Sequence, residues 1–417
     1  MSDYKEENVR QEVRDWLEAS WDADQPLLEW RNALADSGWG CPTWPREWYG
    51  RGLPVHFEGL VSQEFRRIGA PGIASGVGPG LAAVTLLEHG SEEQKKRYLR
   101  PIITGEDSWC QLFSEPGSGS DLAGLTCRAD LADDGDWIIN GQKVWNTSAH
   151  HARYGMLLAR TDWDVPKHSG ISYFVLEMDQ PGVSVRPLRQ MNGHASFNEV
   201  FMTDARVQRA DVIGEVNRGW TVALATLAHE RRLAGLFGRG QLQGEGRALD
   251  EYRSEQLEVL APYVWYPQRA GRVDLVIERA RETGRNQDPV VRQEIAKLLA
   301  LTRAAEWTAQ RAREARKAGR PPGPEGSLGK LCGSHIARAA AEVHTLISGT
   351  DAMLSGADGA RDGVIAEVLV SVPGQSIAGG TDEIQRNIIA EKQLGLPKDP
   401  SADLGKPFRD VPKNIGS

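Results

Sequence analysis

Long apolar runs are missing from this chain of 417 residues. Because no stretch of about 18 or more uninterrupted apolar residues occurs, we expect no transmembrane helix. The first seven residues are polar and lack the apolar core of a signal peptide. Cysteine is also scarce, and no Cys-x-x-Cys pair occurs, so we expect neither a disulfide framework nor a metal site. The simplest interpretation is a protein of the reduced cytoplasm whose four cysteines are isolated thiols: Cys41, Cys110, Cys127 and Cys332.

An excess of basic residues is missing as well. The chain has 49 Lys and Arg against 57 Asp and Glu, a formal net charge of −8. This balance argues against a protein whose main role is to bind nucleic acid or an anionic membrane surface. It leaves room for a local basic pocket that binds a phosphorylated ligand. The charged fraction of 25% and the hydrophobic fraction of 40% are typical of a globular protein, and the length predicts two or three domains.

The local pattern of residues changes twice along the chain. Residues 1–110 are predicted to be mostly helical, because residues 6–17 carry apolar side chains at helical spacing and Ser91 is placed to cap a helix. Residues 111–214 contain short β-like runs separated by Asn, Asp and Gly turns, which predicts a small antiparallel β domain. Residues 215–395 again show the helical period, and residues 396–417 form an irregular tail. The sequence therefore predicts an α+β fold.

The C-terminal part is predicted to consist of long helices. They alternate with loops rich in Gly and Pro, which break helices. The predicted helical segments are residues 220–237, 275–282, 290–318, 329–348 and 381–393.

A loop rich in Gly and Ser follows the first predicted strand. Ser118-Gly119-Ser120-Asp121 comes directly after Pro116-Gly117. Several backbone N–H groups and two hydroxyls on such a tight loop can form a nest for a pyrophosphate. An ordinary turn is the alternative, because most loops of this composition have no further role.

A second candidate element is the segment 140–147, where a predicted hairpin turn leads into Trp145 and Thr147. An indole beside a hydroxyl can stack on a planar cofactor and form a hydrogen bond with it. A tryptophan of the core is the alternative.

These two elements, in this order, resemble the acyl-CoA dehydrogenase family. The resemblance extends over nearly the whole chain and includes the segments 90–94, 105–106, 197–201, 214–220 and 379–386. It implies an N-terminal helical domain, a middle β domain and a C-terminal four-helix bundle. It also implies that FAD-dependent chemistry converts an acyl-CoA thioester to a trans-2-enoyl-CoA, and that electron-transfer flavoprotein accepts the electrons.

The resemblance assigns roles to individual residues. The cofactor contacts that it implies are Leu112, Phe113, Ser114, Gly119, Ser120, Trp145, Asn146, Thr147, Arg281, Thr381 and Glu383. The substrate contacts that it implies are Ser120, Arg231, Gly379 and Gly380.

The catalytic base departs from the pattern of many family members. Those members carry a Glu where this chain has Gly379. In a minority that includes the isovaleryl-CoA and long-chain types, the base lies on the first helix of the C-terminal domain in a Leu-x-x-Glu-Arg context. The segment 227–231 matches that context, so the resemblance assigns Glu230 as the base. Taken alone, Glu230 would be an ordinary solvated helix charge, and we expect His229 to have a packing or surface role.

Two further departures concern how FAD is held between subunits. The family's Arg-x-x-Phe-Gly appears here only as Arg281-Glu-Thr-Gly284, and its Gln-x-x-Gly-Gly has no clear match between Thr345 and Gly356. Two assemblies follow. Either Arg281 or Arg285 suffices in a homo-oligomer, usually a tetramer in this family, or a related subunit supplies the missing half in an α2β2 heterotetramer. Two other functions stay open, a flavin-dependent monooxygenase on the same fold and a partner subunit of a heteromeric dehydrogenase.

Overall fold

The computed structural model describes residues 4–233, 242–320, 323, 325–398, 400–401 and 403–412.

The first part of the chain is helical. Helix α1 buries Val9, Val13 and Leu17 on one face. Helix α5 begins with the predicted cap, a reciprocal pair of hydrogen bonds between Ser91 and Gln94. The five helices are α1 (Glu6–Ser20), α2 (Leu27–Ser37), α3 (Phe57–Ile68), α4 (Ala83–His89) and α5 (Glu92–Thr104).

An eight-stranded sheet follows. Its strands are β1 (Trp109–Leu112), β2 (Arg128–Leu131), β3 (Trp137–Thr147), β4 (Tyr154–Arg160), β5 (Ile171–Glu177), β6 (Val183–Leu188), β7 (Phe197–Val207) and β8 (Val212–Ile213). The order is β6-β7-β3-β2-β4-β5-β8, and β1 pairs with β4. The predicted α+β class is confirmed, but the sheet is mixed rather than purely antiparallel. Strands β1 and β4 run parallel because the chain between them makes a long excursion through the β2–β3 hairpin.

The sheet is covered on both faces. All seven residues of β4 are buried, and alternate side chains belong to different core clusters. Met156 and Leu158 pack with residues of α4 and α5, whereas Leu157 and Ala159 pack with residues of β3 and β7. This alternation is the period of two that a strand imposes on its side chains.

The contacts divide the chain into two compact units. The first unit contains the chain up to Leu188, Ala195–Pro262 and the segment that starts at Asp403. It therefore includes α6 (Gly219–Leu233) and α7 (Arg247–Leu260). The second unit contains Arg189–His194 and the chain from Tyr263 to the start of that last segment. The domain boundaries expected after residues 110, 214 and 395 stay a prediction, and the contacts group α6 with the sheet.

The second unit is helical. In it, α9, α10 and α14 each pack against α11 or its neighbours, and Val276, Leu298 and Val343 share one core cluster. The predicted helices are confirmed here, and the prediction for residues 234–237 lies outside the described residues. No helix in the described ranges is both long and apolar enough to cross a membrane. The helices are α8 (Tyr266–Arg269), α9 (Val273–Glu282), α10 (Pro289–Lys317), α11 (Glu325–Ser348), α12 (Val364–Ser371), α13 (Pro373–Ile377) and α14 (Asp382–Lys392).

Candidate functional site

A buried ion pair fixes the loop between β1 and β2, residues 113–127, which we call the ligand loop. Lys143 is fully buried, and its Nζ lies 2.8 Å from Glu115 Oε1 and donates to the carbonyl of Phe113 at 3.0 Å. Glu115 also accepts from the backbone N–H groups of Thr126 and Cys127 at 2.7 and 2.8 Å. Burial opposes the charge on Glu115, but Lys143 and the two N–H groups outweigh it and lower the pKa of the carboxyl. Lys143 therefore attaches the ligand loop to β3 through buried contacts.

A tight turn forms the middle of the ligand loop. Glu115 and Ser118 exchange backbone hydrogen bonds of 2.9 and 3.0 Å around Pro116-Gly117. The Ser118 hydroxyl donates to the carbonyls of Asp121 and Leu122 at 2.8 and 3.2 Å. The loop itself thus uses this hydroxyl.

The next two residues are exposed at the surface of the loop. Neither Gly119 nor Ser120 is buried, and within the described residues their N–H groups donate no hydrogen bond. The N–H of Ser114 is likewise unused there, while its carbonyl accepts from Val144 at 2.9 Å. Such N–H groups are suitable donors to phosphate oxygens, so the conformation of the loop is compatible with the nest, which stays a prediction.

Trp145 lies at a β-bulge near the end of β3. Its φ of 65° is in the left-handed region, and the pairing with β7 shifts between Val144 and Asn146. Such a conformation is costly for a residue with a side chain and concentrates at functional sites. The residue is 56% exposed, and its ring contacts only the edge of Phe197 at 5.8 Å among the ring pairs described. Trp145 is therefore not a core tryptophan, and its indole can stack on a planar ligand. Thr147, the last residue of β3, is half-buried.

Asn146 connects β3 to β1. Its side chain is buried and donates to the main-chain carbonyl of Gln111 at 2.7 Å. The main-chain carbonyl of Asn146 accepts from the side-chain amide of Asn198 at 2.8 Å. The buried Oδ1 of Asn146 has no partner within the described residues, so one acceptor remains for a ligand.

The structure places Glu230 beside β1. Glu230 is half-buried on α6, and the side-chain amide of Gln111 donates to its Oε2 at 3.4 Å. The predicted base, the end of β1 and Asn146 are therefore joined by hydrogen bonds. Gln111 was not predicted, because a lone Gln in a strand carries no sequence signal. The Nε2 of His229 lies 2.7 Å from Glu88 Oε1, so this side chain forms a polar contact with α4. The side chain of Arg231 lies outside the described residues.

Leu112 and Phe113 are buried in the core. Phe113 packs edge-on against Tyr173 with ring centroids 5.8 Å apart. Any contact of these two residues with a cofactor would therefore be made by main-chain atoms.

The other predicted residues lie in the second unit. Gly379 and Gly380 both have positive φ, 66° and 87°, and the Gln385 amide donates to their carbonyls at 3.1 and 3.4 Å. A Cβ on Gly380 would lie 2.6 Å from that amide nitrogen, whereas a Cβ on Gly379 would meet no atom within 4 Å. Thr381 caps α14, where its hydroxyl accepts from the N–H of Ile384 at 3.3 Å.

The charged residues of the second unit differ in how far they are engaged. Arg281 is exposed, and its side chain has no ion pair or hydrogen bond within the described ranges. Arg285 pairs with Asp288 at 3.1 Å, and Glu383 pairs with Arg386 at 3.2 Å. Of the two predicted arginines, Arg281 is thus the one whose guanidinium is available. No cluster of three or more His, Cys, Asp or Glu side chains in the described residues could hold a metal ion.

Three family models match successive parts of the chain. Residues 1–106 match the acyl-CoA dehydrogenase N-terminal domain, residues 110–205 the middle domain and residues 264–394 the C-terminal domain.

Individual relatives agree with these matches. The chain is 38% identical over 368 residues to acyl-CoA dehydrogenase FadE34 of Mycobacterium tuberculosis, which covers 88% of this chain but 46% of that protein. It is 33% identical to acyl-CoA dehydrogenase IpdE1 of Mycolicibacterium smegmatis, with 94% and 98% covered. Among solved structures, the Tcur3481-Tcur3483 steroid ACAD superposes with a TM-score of 0.65 at 26% identity, covering 96% of this chain and all of that one.

Proposed function

Since the chain belongs to the acyl-CoA dehydrogenase family, we propose that it uses FAD to oxidise the α,β carbon–carbon bond of an acyl-CoA thioester to a trans-2-enoyl-CoA. The observation that supports this most directly is the hydrogen-bonded connection of Glu230, Gln111 and Asn146. Gln111 bonds both to the carboxylate of Glu230 and to Asn146, which is the neighbour of the exposed Trp145 in sequence.

The residues of the ligand loop and of the bulge suit FAD. The free N–H groups of Ser114, Gly119 and Ser120 would bind the pyrophosphate, and the exposed indole of Trp145 would lie against the ring system. Thr147 and the open Oδ1 of Asn146 add polar contacts. When bound, FAD would supply the two-electron oxidant.

Glu230 is assigned the role of base. Removing a proton from the carbon next to a thioester carbonyl needs a carboxylate within hydrogen-bond reach of that carbon. The Gln111 amide donates to Oε2 of Glu230 at 3.4 Å and would help to orient the carboxylate that takes the proton. The developing negative charge on the thioester oxygen needs N–H donors, and the N–H of Gly379 is assigned to it. Ser120, Gly380 and Arg231 are assigned to the substrate.

The acyl group and the electron acceptor are further parts of the proposal. One structural relative is a steroid dehydrogenase by its name, so a steroid-derived thioester comes first among fatty, branched and steroid-derived candidates. Electron-transfer flavoprotein is the proposed acceptor, in the cytoplasm. A monooxygenase would have no use for the base, so Glu230 disfavours that alternative.

A second function, that of a subunit in a heteromer, is favoured by one observation. The segment 281–284 is one residue shorter than the family motif and lacks its aromatic residue, so only Arg281 and Gly284 of the motif remain. A related subunit would complete the FAD site in an α2β2 tetramer.

The test uses the purified chain loaded with FAD and mixed without oxygen with a panel of acyl-CoA thioesters. We expect at least one thioester to bleach the flavin spectrum without NAD(P)H. If the protein binds FAD and no thioester of any of the three classes reduces it, the proposed function is wrong.

A further inference from the structure

The segment 403–411 packs against the first unit, although the helices of the second unit precede it in sequence. The N–H groups of Phe408 and Arg409 donate to the carbonyls of Val165 and Trp163 at 2.9 and 3.0 Å. The Phe408 side chain is only 2% exposed. This part of the predicted irregular tail is therefore anchored by main-chain hydrogen bonds and by a buried aromatic ring.

Phe408 covers a buried arginine. The ring centroid of Phe408 lies 3.4 Å from the guanidinium carbon of Arg160, which is fully buried. The guanidinium donates to the carbonyls of Ala123, Leu125 and Lys167 at 2.7, 3.1 and 3.1 Å. No carboxylate in the described part of the chain lies within ion-pair distance of it, and burial lowers its pKa to about 10. A buried cation is costly unless it is fully hydrogen-bonded, so the three carbonyls and the ring of Phe408 together stabilise the guanidinium.

A second contact reaches the ligand loop itself. Lys167 Nζ lies 2.9 Å from Asp121 Oδ1 and 3.3 Å from Asp403 Oδ2. Asp121 directly follows Ser120 in the loop. One ammonium group thus joins the segment 403–411 to the residue next to the free N–H groups.

We propose that the segment 403–411 is a positioning element for the ligand loop. By covering Arg160 and binding Lys167, it fixes the main chain from Asp121 to Leu125. It thereby holds Gly119 and Ser120 in the conformation that binds phosphate groups. The identity of the ligand as FAD rests on the function proposed above, whereas the ordering of the loop does not.

The test compares three variants of the full chain by hydrogen exchange without ligand. Phe408→Ala removes the aromatic cover, and Asp403→Asn weakens the contact with Lys167. Leu404→Ala is the matched control, because Leu404 belongs to the same segment and is 87% exposed. The amides of Gly124 and Leu125 donate to the carbonyls of Asp121 and Leu122. We expect them to exchange about tenfold faster in Phe408→Ala, as expected for the loss of a charge-stabilising contact. The control should match the wild type.

Asp403→Asn keeps the test valid if Phe408→Ala does not fold, because it leaves the packing intact. Unchanged exchange in the ligand loop of both variants would overturn the proposal. So would an equal acceleration at every amide of the first unit, which would indicate general destabilisation.

FAD affinity, measured by flavin fluorescence, is the second readout. We expect it to fall about tenfold in Phe408→Ala, in proportion to the exchange at the loop, and to stay unchanged in Leu404→Ala. Faster exchange with unchanged FAD affinity would overturn the link to the ligand. If the wild-type chain binds no FAD, the function proposed above fails, and the exchange data alone decide whether the segment orders the loop.

Discussion

A single carboxylate on α6, Glu230, carries the proton transfer in the proposed reaction. Glu230→Gln preserves the shape and the contact with Gln111 but removes the proton acceptor. We expect reduction of bound FAD by substrate to slow by about 10²-fold or more, with FAD content unchanged, as measured by anaerobic stopped-flow absorbance. Glu88→Gln, which changes the nearby carboxylate that pairs with His229, is the control and should keep most of the rate. An unchanged rate in Glu230→Gln would place the base elsewhere.

The backbone at Trp145 supports a second prediction. Both Trp145→Ala and Trp145→Gly remove the indole, but only glycine adopts a φ of 65° without strain. We expect the free energy of unfolding of the Gly variant to exceed that of the Ala variant by about 1 kcal/mol. The Gly variant should therefore have the higher urea midpoint. Both should bind FAD more weakly than the wild type. Equal midpoints for the two variants would mean that the bulge relaxes and holds no strain.

Individual residues differ in how well the sequence could reveal them. The exposed Trp145 and the turn at Pro116-Gly117 were predictable, because a motif and a turn signal mark them. Gln111 and Arg160 were not, because their roles depend on partners far along the chain that only the folded structure brings near. The Asn146 amide shows the intermediate case: its importance was predicted, but its bond to β1 was not.

At the scale of the structural elements, the ligand loop depends on a buried ion pair between Glu115 and Lys143. The pKa of Glu115 is lowered below its ordinary value of 4.5, so its ionised form stabilises the fold above that pH. This stabilisation is lost as the pH falls from about 4.5 through the lower pKa of the folded state. We expect the free energy of unfolding of the wild type to exceed that of Glu115→Gln at pH near 6, and the difference to shrink at pH near 3.

Urea unfolding at several pH values measures this difference. Asp133→Asn is the control, because Asp133 is exposed in the turn between β2 and β3, and its difference from the wild type should stay flat. A Glu115→Gln difference that does not change with pH would contradict the prediction.

Strands and helices with regular periodicity were predictable, as α1, β5 and α9 show. The parallel pairing of β1 with β4 was not, since the residues of a short strand do not encode the direction of its neighbour. The grouping of α6 with the sheet was also not predictable, because it depends on Val222 and Ala223 packing against strand residues rather than on the helix's own pattern.

For the molecule as a whole, the predicted contact of the second unit with FAD depends on an arginine. Among the described residues the guanidinium of Arg281 has no partner, whereas Arg285 is paired with Asp288. We expect Arg281→Ala to lower the FAD retained per chain after gel filtration, because a charge-assisted contact with the pyrophosphate is lost, and Arg285→Ala to retain it.

Mass and flavin content of the chain expressed alone decide between the two assemblies. One FAD per chain in an active homo-oligomer would eliminate the heteromer. Well under one FAD, restored by co-expression with a related subunit, would support it, and Arg281→Ala should then have its effect only in the complex.

The return of the segment 403–411 to the first unit has a consequence for biosynthesis. Lys167 and Asp403 are 236 residues apart in sequence, and the whole of the second unit from Tyr263 is translated between them. In a nascent chain, Phe408 can therefore cover Arg160 only after that stretch has been synthesised. With the positioning role proposed for this segment, the ligand loop would become ordered late in translation, and chains stalled within the second unit would expose it to chaperones and proteases.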